Sequence, residues 1–155
     1  RNPNDAAALN NRGIAMAELG DPEGAMEYYE KAIKADSSYA PAYYNKGVLL
    51  DKKLEHEKAL EEFTNLSELC PGDPIVLYQL SCALDACDRV EEANEVLKKA
   101  NMLPHEDASI PYNIGVNIIK LDGDVNEALQ YLIMARALKH PKASKLIEAI
   151  QEQIA

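Results

Sequence analysis

No run of apolar residues in this sequence approaches the length needed to cross a membrane, because charge interrupts the hydrophobic clusters every few positions. No signal-peptide pattern opens the chain. It begins at Arg1 without an initiator methionine, which reads as a cut-out domain or a processed product. Cysteine is scarce: Cys70, Cys82 and Cys87 are an odd number with no CxxC pair, so a disulfide scaffold is not expected. Reduced, buried thiols in a cytoplasmic setting are the expectation. His56, His105 and His140 fall near expected helix ends, where they read as solvated or terminus-stabilising residues. None stands at metal-ligand spacing from another histidine or a cysteine. Basic residues are outnumbered, 16 Lys and Arg against 26 Asp and Glu, for a formal net charge of -10. Phosphate recognition needs clustered cations, so nucleic acid is not an expected partner. Phosphate-binding loops and Ser/His/Asp or Cys/His constellations do not stand out either, so neither catalysis nor a cofactor is expected.

What the sequence does contain is a balance of 47% hydrophobic and 27% charged residues over 155 positions, enough for a single domain with a real core. Much of the acid solvates helix surfaces. Glu91, Glu92 and Glu95 precede Lys98 and Lys99, an order that complements a helix dipole.

The strongest signal is internal repetition. Gly13, Gly47, Ser81 and Gly115 are separated by 34 residues each. A second small residue follows at Ala25, Ala59, Ala93 and Ala128, then a large apolar one at Tyr29, Phe63, Leu97 and Leu132. A fourth column reads Ala32, Leu66, Ala100 and Ala135. A small residue inside a helix accepts a propensity cost so that a neighbouring helix can approach, and large residues at helical spacing fill the space around it. Turn chemistry separates the helices. Gly20 suits a helix C-terminus, Asp21 an N-cap and Pro22 the first helical position, and Asp73-Pro74 repeats the cap-and-start arrangement.

In these columns the chain resembles the tetratricopeptide repeat family, most closely in the unit holding Tyr43, Gly47, Leu50, Ala59, Phe63 and Pro71. The resemblance implies an all-α fold, a right-handed superhelical solenoid of antiparallel helix pairs. It divides a single domain, 1–155, into repeats at about 6–39, 40–73, 74–107 and 108–141, with a capping helix over about 142–155. That last segment carries Ala143, Leu146, Ile147, Ile150 and Ile154 on one face. Arg1–Asp5 offers no comparable cap, which leaves the N-terminal face open to another chain or repeat. The fourth unit departs from the pattern. The first bulky column reads Leu9, Tyr43, Leu77 and then Pro111, so its helix should start near Ser109. One extra residue also lies between Gly115 and Gly123, to be absorbed by a bulge or a longer turn.

Solenoids of this kind bind on the concave surface lined by the first helix of each pair. Two positions before each Gly or Ser stand Asn11, Asn45, Gln79 and Asn113. One position earlier stand Asn10, Tyr44, Tyr78 and Tyr112; one position after come Ile14, Val48, Cys82 and Val116. A carboxamide offers both a donor and an acceptor, which suits a peptide main chain. Tyrosine beside it adds flat apolar area with a polar tip. The row is similar to the asparagine ladder of O-linked N-acetylglucosamine transferase, a member of the same family. The expected site is therefore Asn11, Asn45, Gln79 and Asn113 with Tyr44, Tyr78 and Tyr112, taking a protein or peptide partner; the same columns could equally reflect repeat ancestry or local packing. The family's clamp for acidic chaperone tails uses Lys, Asn, Asn, Lys and Arg. The matching positions here are Asn10, Ile14, Asn45, Ile75 and Gln79, so binding of an EEVD tail is not expected. Asp51 and Asp85 read as helix-surface charge and Cys82 as a small filler. Alternatives to peptide binding are self-association as a homo-oligomer through the first repeat, with Leu9 in the contact, or service as the targeting domain of a larger enzyme.

Overall fold

The computed structural model describes residues 5–155. The ordered elements among them are α1 (Ala6–Glu18), α2 (Pro22–Ala35), α3 (Ala40–Lys52), α4 (His56–Leu69), α5 (Pro74–Ala86), α6 (Val90–Asn101), α7 (Ser109–Lys120), α8 (Val125–Ala137) and α9 (Ala143–Ile154). No strand occurs among the described residues, and none of their helices is long and apolar enough to cross a membrane. The expected open end at Arg1–Asp5 lies, apart from Asp5, outside the described residues.

Helix starts follow the acidic caps. Asp5, Asp21, Asp73 and Asp124 each accept backbone N–H groups of the first turn with their side chains. α7 begins at Ser109, whose N–H donates to Asp107 Oδ1 at 2.8 Å. Pro111 is thus its third residue, where no intrahelical N–H bond is lost. Helix ends are just as regular. Gly20, Leu54, Asp88 and Asp122, spaced by 34 residues, all take positive φ values (80°, 59° for Asp88, 60° for Leu54, 52° for Asp122). After each, the next N–H reaches back into the helix: Asp21 to Met16, Glu55 to Leu50, Arg89 to Leu84 and Gly123 to Ile118. The extra residue of the fourth unit is Gly123, inserted in the turn between this left-handed residue and the Asp124 cap. A longer turn, not a bulge, absorbs it.

The chain forms two compact units, residues 1–71 and 72–155. In the first, α1 pairs with α2 and α3 with α4, and α2 packs on α3. In the second, α5 pairs with α6 and α7 with α8, α6 packs on α7, and α9 packs on α8. The pairing is antiparallel: in α1 and α2, Gly13 faces Tyr29 while Met16 faces Gly24. All four repeat columns point inward, and Ala25, Ala59, Ala93 and Ala128 are fully buried.

The glycine column exists because of what stands opposite it. A Cβ at Gly13 would lie 2.6 Å from the Tyr29 ring, and one at Gly47 would lie 2.8 Å from Phe63. The third unit places Leu97 in the aromatic column and tolerates Ser81, whose hydroxyl donates to the Tyr78 carbonyl at 2.6 Å.

Two expectations need correction. The thiols are not buried: Cys82 is exposed, and Cys70 and Cys87 are half-buried. The reason is their placement at a helix face open to solvent and at two helix ends. Leu9 is no surface contact residue either. It is buried in a core with Ala6, Ala32 and Ala42, because it occupies the first inward column of its repeat. Asp51 and Asp85 are helix-surface charges as expected, each beside a partner: Asp51 Oδ1 stands 3.0 Å from His56 Nδ1, and Asp85 accepts from Lys120 Nζ at 3.1 Å.

Candidate functional site

The first helices of the pairs carry the candidate residues. In the first unit α1 holds Asn10 and Asn11, and α3 holds Tyr44 and Asn45. Asn11 is exposed, whereas Asn10 is buried and Asn45 half-buried. Asn45 Nδ2 donates to Asn10 Oδ1 at 3.0 Å. That bond removes one acceptor from a buried amide and fixes the plane of the other. Asn45 keeps its carbonyl oxygen and a second N–H for anything lying on the helix face. Tyr44 packs edge-on against Phe63, with ring centroids 6.3 Å apart at 71°.

In the second unit α5 holds Tyr78, Gln79 and Cys82, and α7 holds Tyr112 and Asn113. Tyr78, Gln79, Tyr112 and Asn113 are all half-buried. Asn113 Nδ2 donates to the Tyr78 hydroxyl at 3.2 Å. Burial, followed by the neighbouring Cys82, pushes the Tyr78 hydroxyl above its usual pKa, so it stays protonated. Tyr112 is stacked on His140 of the turn before α9, with centroids 3.8 Å apart and planes within 15°.

One geometric rule runs through both units. Asn10 bonds Asn45, Tyr78 bonds Asn113 and Asp85 bonds Lys120, each across 35 residues. Neighbouring first helices therefore meet one residue out of step with the 34-residue sequence period. The amide column of one helix touches the tyrosine column of the helix before it. Sequence columns keep equivalent positions together, so the contact between different columns was not apparent in them. Asn10, which breaks the tyrosine column with an amide, was its one visible trace.

Below Asn113 lies a cavity of about 70 Å³ between α5 and α7, lined by Ser81, Cys82, Asn113, Val116 and Asn117, with the Asp85–Lys120 pair at its rim. Asn117 was not singled out by the spacing argument. Among the described residues, no group of three or more His, Cys, Asp and Glu side chains is arranged to hold a metal ion.

Comparison with known proteins agrees with the repeat. The family profile of the tetratricopeptide repeat matches residues 6–39. Hsp70-Hsp90 organizing protein 3 of Arabidopsis thaliana is 39% identical over 64 residues, covering 41% of this chain and 11% of that protein. The probable UDP-N-acetylglucosamine–peptide N-acetylglucosaminyltransferase SPINDLY of Hordeum vulgare is 36% identical over 55 residues, covering 36% of this chain and 6% of that protein. The chain thus spans about a tenth or less of the length of these relatives. Among solved structures, MamA from Desulfovibrio magneticus RS-1 is 28% identical with a TM-score of 0.77, covering 88% of this chain and 77% of that one. YrrB, described as a TPR protein with an unusual peptide-binding site, has a TM-score of 0.83 at 23% identity, covering 98% and 79%. That likeness speaks to the fold.

Proposed function

We propose that this chain, a tetratricopeptide repeat protein and protein-interaction scaffold, binds extended protein segments along the first helices of each unit, with Asn45 in the first and Gln79 and Asn113 in the second meeting ligand main chain. The observation that carries this reading is the pinned amide. One N–H of Asn45 and one of Asn113 are held by the preceding helix, so each carboxamide is held in a fixed orientation with its oxygen and second N–H uncommitted. A donor and an acceptor that are already ordered lose less entropy on binding. Main chain, with one of each per residue, is their natural complement. Tyr44 and Tyr78 supply flat area beside them. Tyr112 is covered on one ring face by His140 and contributes its edge. Asn11, exposed at the first helix, extends the same row. The role is one of holding, with no catalytic step and no cofactor.

Selection of random twelve-residue peptides on the wild-type chain tests this. The triple variant Asn45→Ala, Gln79→Ala, Asn113→Ala is expected to lose at least about tenfold in affinity for the selected peptides, near one net hydrogen bond's worth. Its unfolding transition, followed in parallel, separates lost contact from lost fold. Unchanged affinity would remove the amide row from the site.

A second reading, self-association, rests on α8. Ile133 and Met134 are exposed there, as is Leu138 just past its end. The corresponding places earlier in the chain hold Glu30, Thr64 and Lys98, and Lys31, Asn65 and Lys99. Sedimentation of the Ile133→Lys, Met134→Lys variant tests this, since Leu9 is core. Loss of a concentration-dependent oligomer favours assembly. Service as the targeting domain of a larger enzyme would be read from the complete reading frame.

A further inference from the structure

Asn117 is the polar residue of α7 that the fold least explains. It is 4% exposed, and its carboxamide makes no hydrogen bond among the described residues. The equivalent positions of the other repeats are Ala15, Leu49 and Ala83. Those three side chains carry no polar group, so the amide is particular to this repeat. The Asn117 amide atoms are not among the sealed, unpartnered ones of the described residues, which are Asn94 Oδ1 and His105 Nδ1, so they stay open to a group entering from outside the folded chain.

The surroundings define that partner. Asn117 lines the cavity of about 70 Å³ between α5 and α7 together with Asn113, above Leu97. Liquid water occupies about 30 Å³ per molecule, so the space suits a small group of about two waters' size. Asn113 has one N–H committed to Tyr78 and keeps its oxygen. Ser81 is committed to the Tyr78 carbonyl. The charges at the rim neutralise one another: Lys120 Nζ lies 3.1 and 3.2 Å from the two Asp85 oxygens. Neither a carboxylate nor an ammonium group gains there. Two amides, a neutral rim and a narrow depth fit a neutral group that both donates and accepts.

We propose that this cavity is a specificity pocket for the side-chain carboxamide of an asparagine or glutamine in the bound segment. The assignment rests on the peptide-binding reading of the same helix face. Asn117 holds the ligand carboxamide with complementary N–H and C=O bonds, and Asn113 accepts from it at the mouth. The first unit lacks such a pocket residue at Ala15 and Leu49, so the preference belongs to the second unit.

The test titrates two small probes into the full ¹⁵N-labelled chain: N-acetyl-asparagine N-methylamide and N-acetyl-leucine N-methylamide. The two share a main chain and nearly a shape, so shifts common to both report the amide row, while the difference between them reports the pocket. The expected result is movement of the Asn113 and Asn117 side-chain signals with the asparagine probe at least about tenfold more tightly than with the leucine probe. Asn117→Ala, which restores the residue of Ala15 and Ala83 and should fold, is expected to abolish that difference. Equal responses to the two probes, no response of Asn117 at the solubility limit, or discrimination that survives in Asn117→Ala overturns the pocket. If both probes leave Asn45, Gln79 and Asn113 unmoved, the peptide-binding reading fails separately.

Discussion

Asn45 Nδ2 donates to Asn10 Oδ1 across 3.0 Å, joining two first helices through side chains that belong to different columns of the repeat. The same one-residue offset joins Asn113 to Tyr78 and Lys120 to Asp85. The amides are therefore both mortar and candidate contacts. Any variant that removes them must be judged on stability and on binding together.

The close approach of α3 to α4 gives the first prediction. Phe63 stands 2.8 Å from where a Cβ on Gly47 would lie. Gly47→Ala should destabilise the fold by about 1–3 kcal/mol through overpacking, even though alanine has the better helix propensity. Ser81→Ala should cost less, since a Cβ is already accommodated there. Denaturant midpoints of the two variants provide the comparison.

Leu54 gives a prediction of opposite sign. It takes a left-handed conformation with φ 60°, a place filled by Gly20 in the first turn, and its side chain is 76% exposed. A branched residue there carries strain and gains little from packing. Leu54→Gly should raise stability by about 1 kcal/mol. A lower melting temperature would contradict the strain argument.

Lys46 and Glu62 form a largely shielded ion pair at 2.8 Å between α3 and α4. The corresponding residues 34 positions on are Leu80 and Val96. Lys46→Leu strands Glu62 and should cost about 1–3 kcal/mol, whereas Glu62→Val leaves Lys46 with Glu30 at 3.7 Å and should cost less. The double variant should return close to wild-type stability, because the apolar pair fits an equivalent site. A double-mutant cycle checks the coupling.

His140 sets a pH dependence. Burial, then the charge of Lys142, holds its pKa below the ordinary 6.5, while Asp107 opposes the shift. Its Nδ1 accepts the Lys142 N–H at 3.3 Å, which requires the neutral ring. The unfolded chain therefore binds this proton more readily. The stabilisation is complete above 6.5, declines as pH falls through that value, and levels off below the folded-state pKa. His140→Phe keeps a ring over Tyr112 and removes the titration. The difference in melting temperature between wild type and this variant should change with acidification over that window and stay flat above it.

Much of the architecture was legible in the sequence. The columns from Gly13 to Ala135 identify the inward faces, and Asp21-Pro22 and Asp73-Pro74 mark helix starts, because backbone sterics and burial act locally and recur with the repeat. Even the start of α7 at Ser109 followed from Pro111. The candidate site was legible only in part. Its residue types were visible, but their mutual bonds depend on how one helix is offset against the next, which no single repeat encodes. His140 covers Tyr112 from a turn outside the repeat pattern. Asn117 was overlooked because it differs from the repeat at a position whose usual residues are small or apolar and so attract no attention.

The most direct measurement is the ¹H–¹⁵N spectrum of the side-chain amides while the full chain is titrated with a peptide selected on it. Binding along the first helices predicts saturable movement of the Asn45, Gln79 and Asn113 signals, with those of Asn65 and Gln130 on the second helices unmoved. Movement confined to the second helices, with the three amides still, would contradict it.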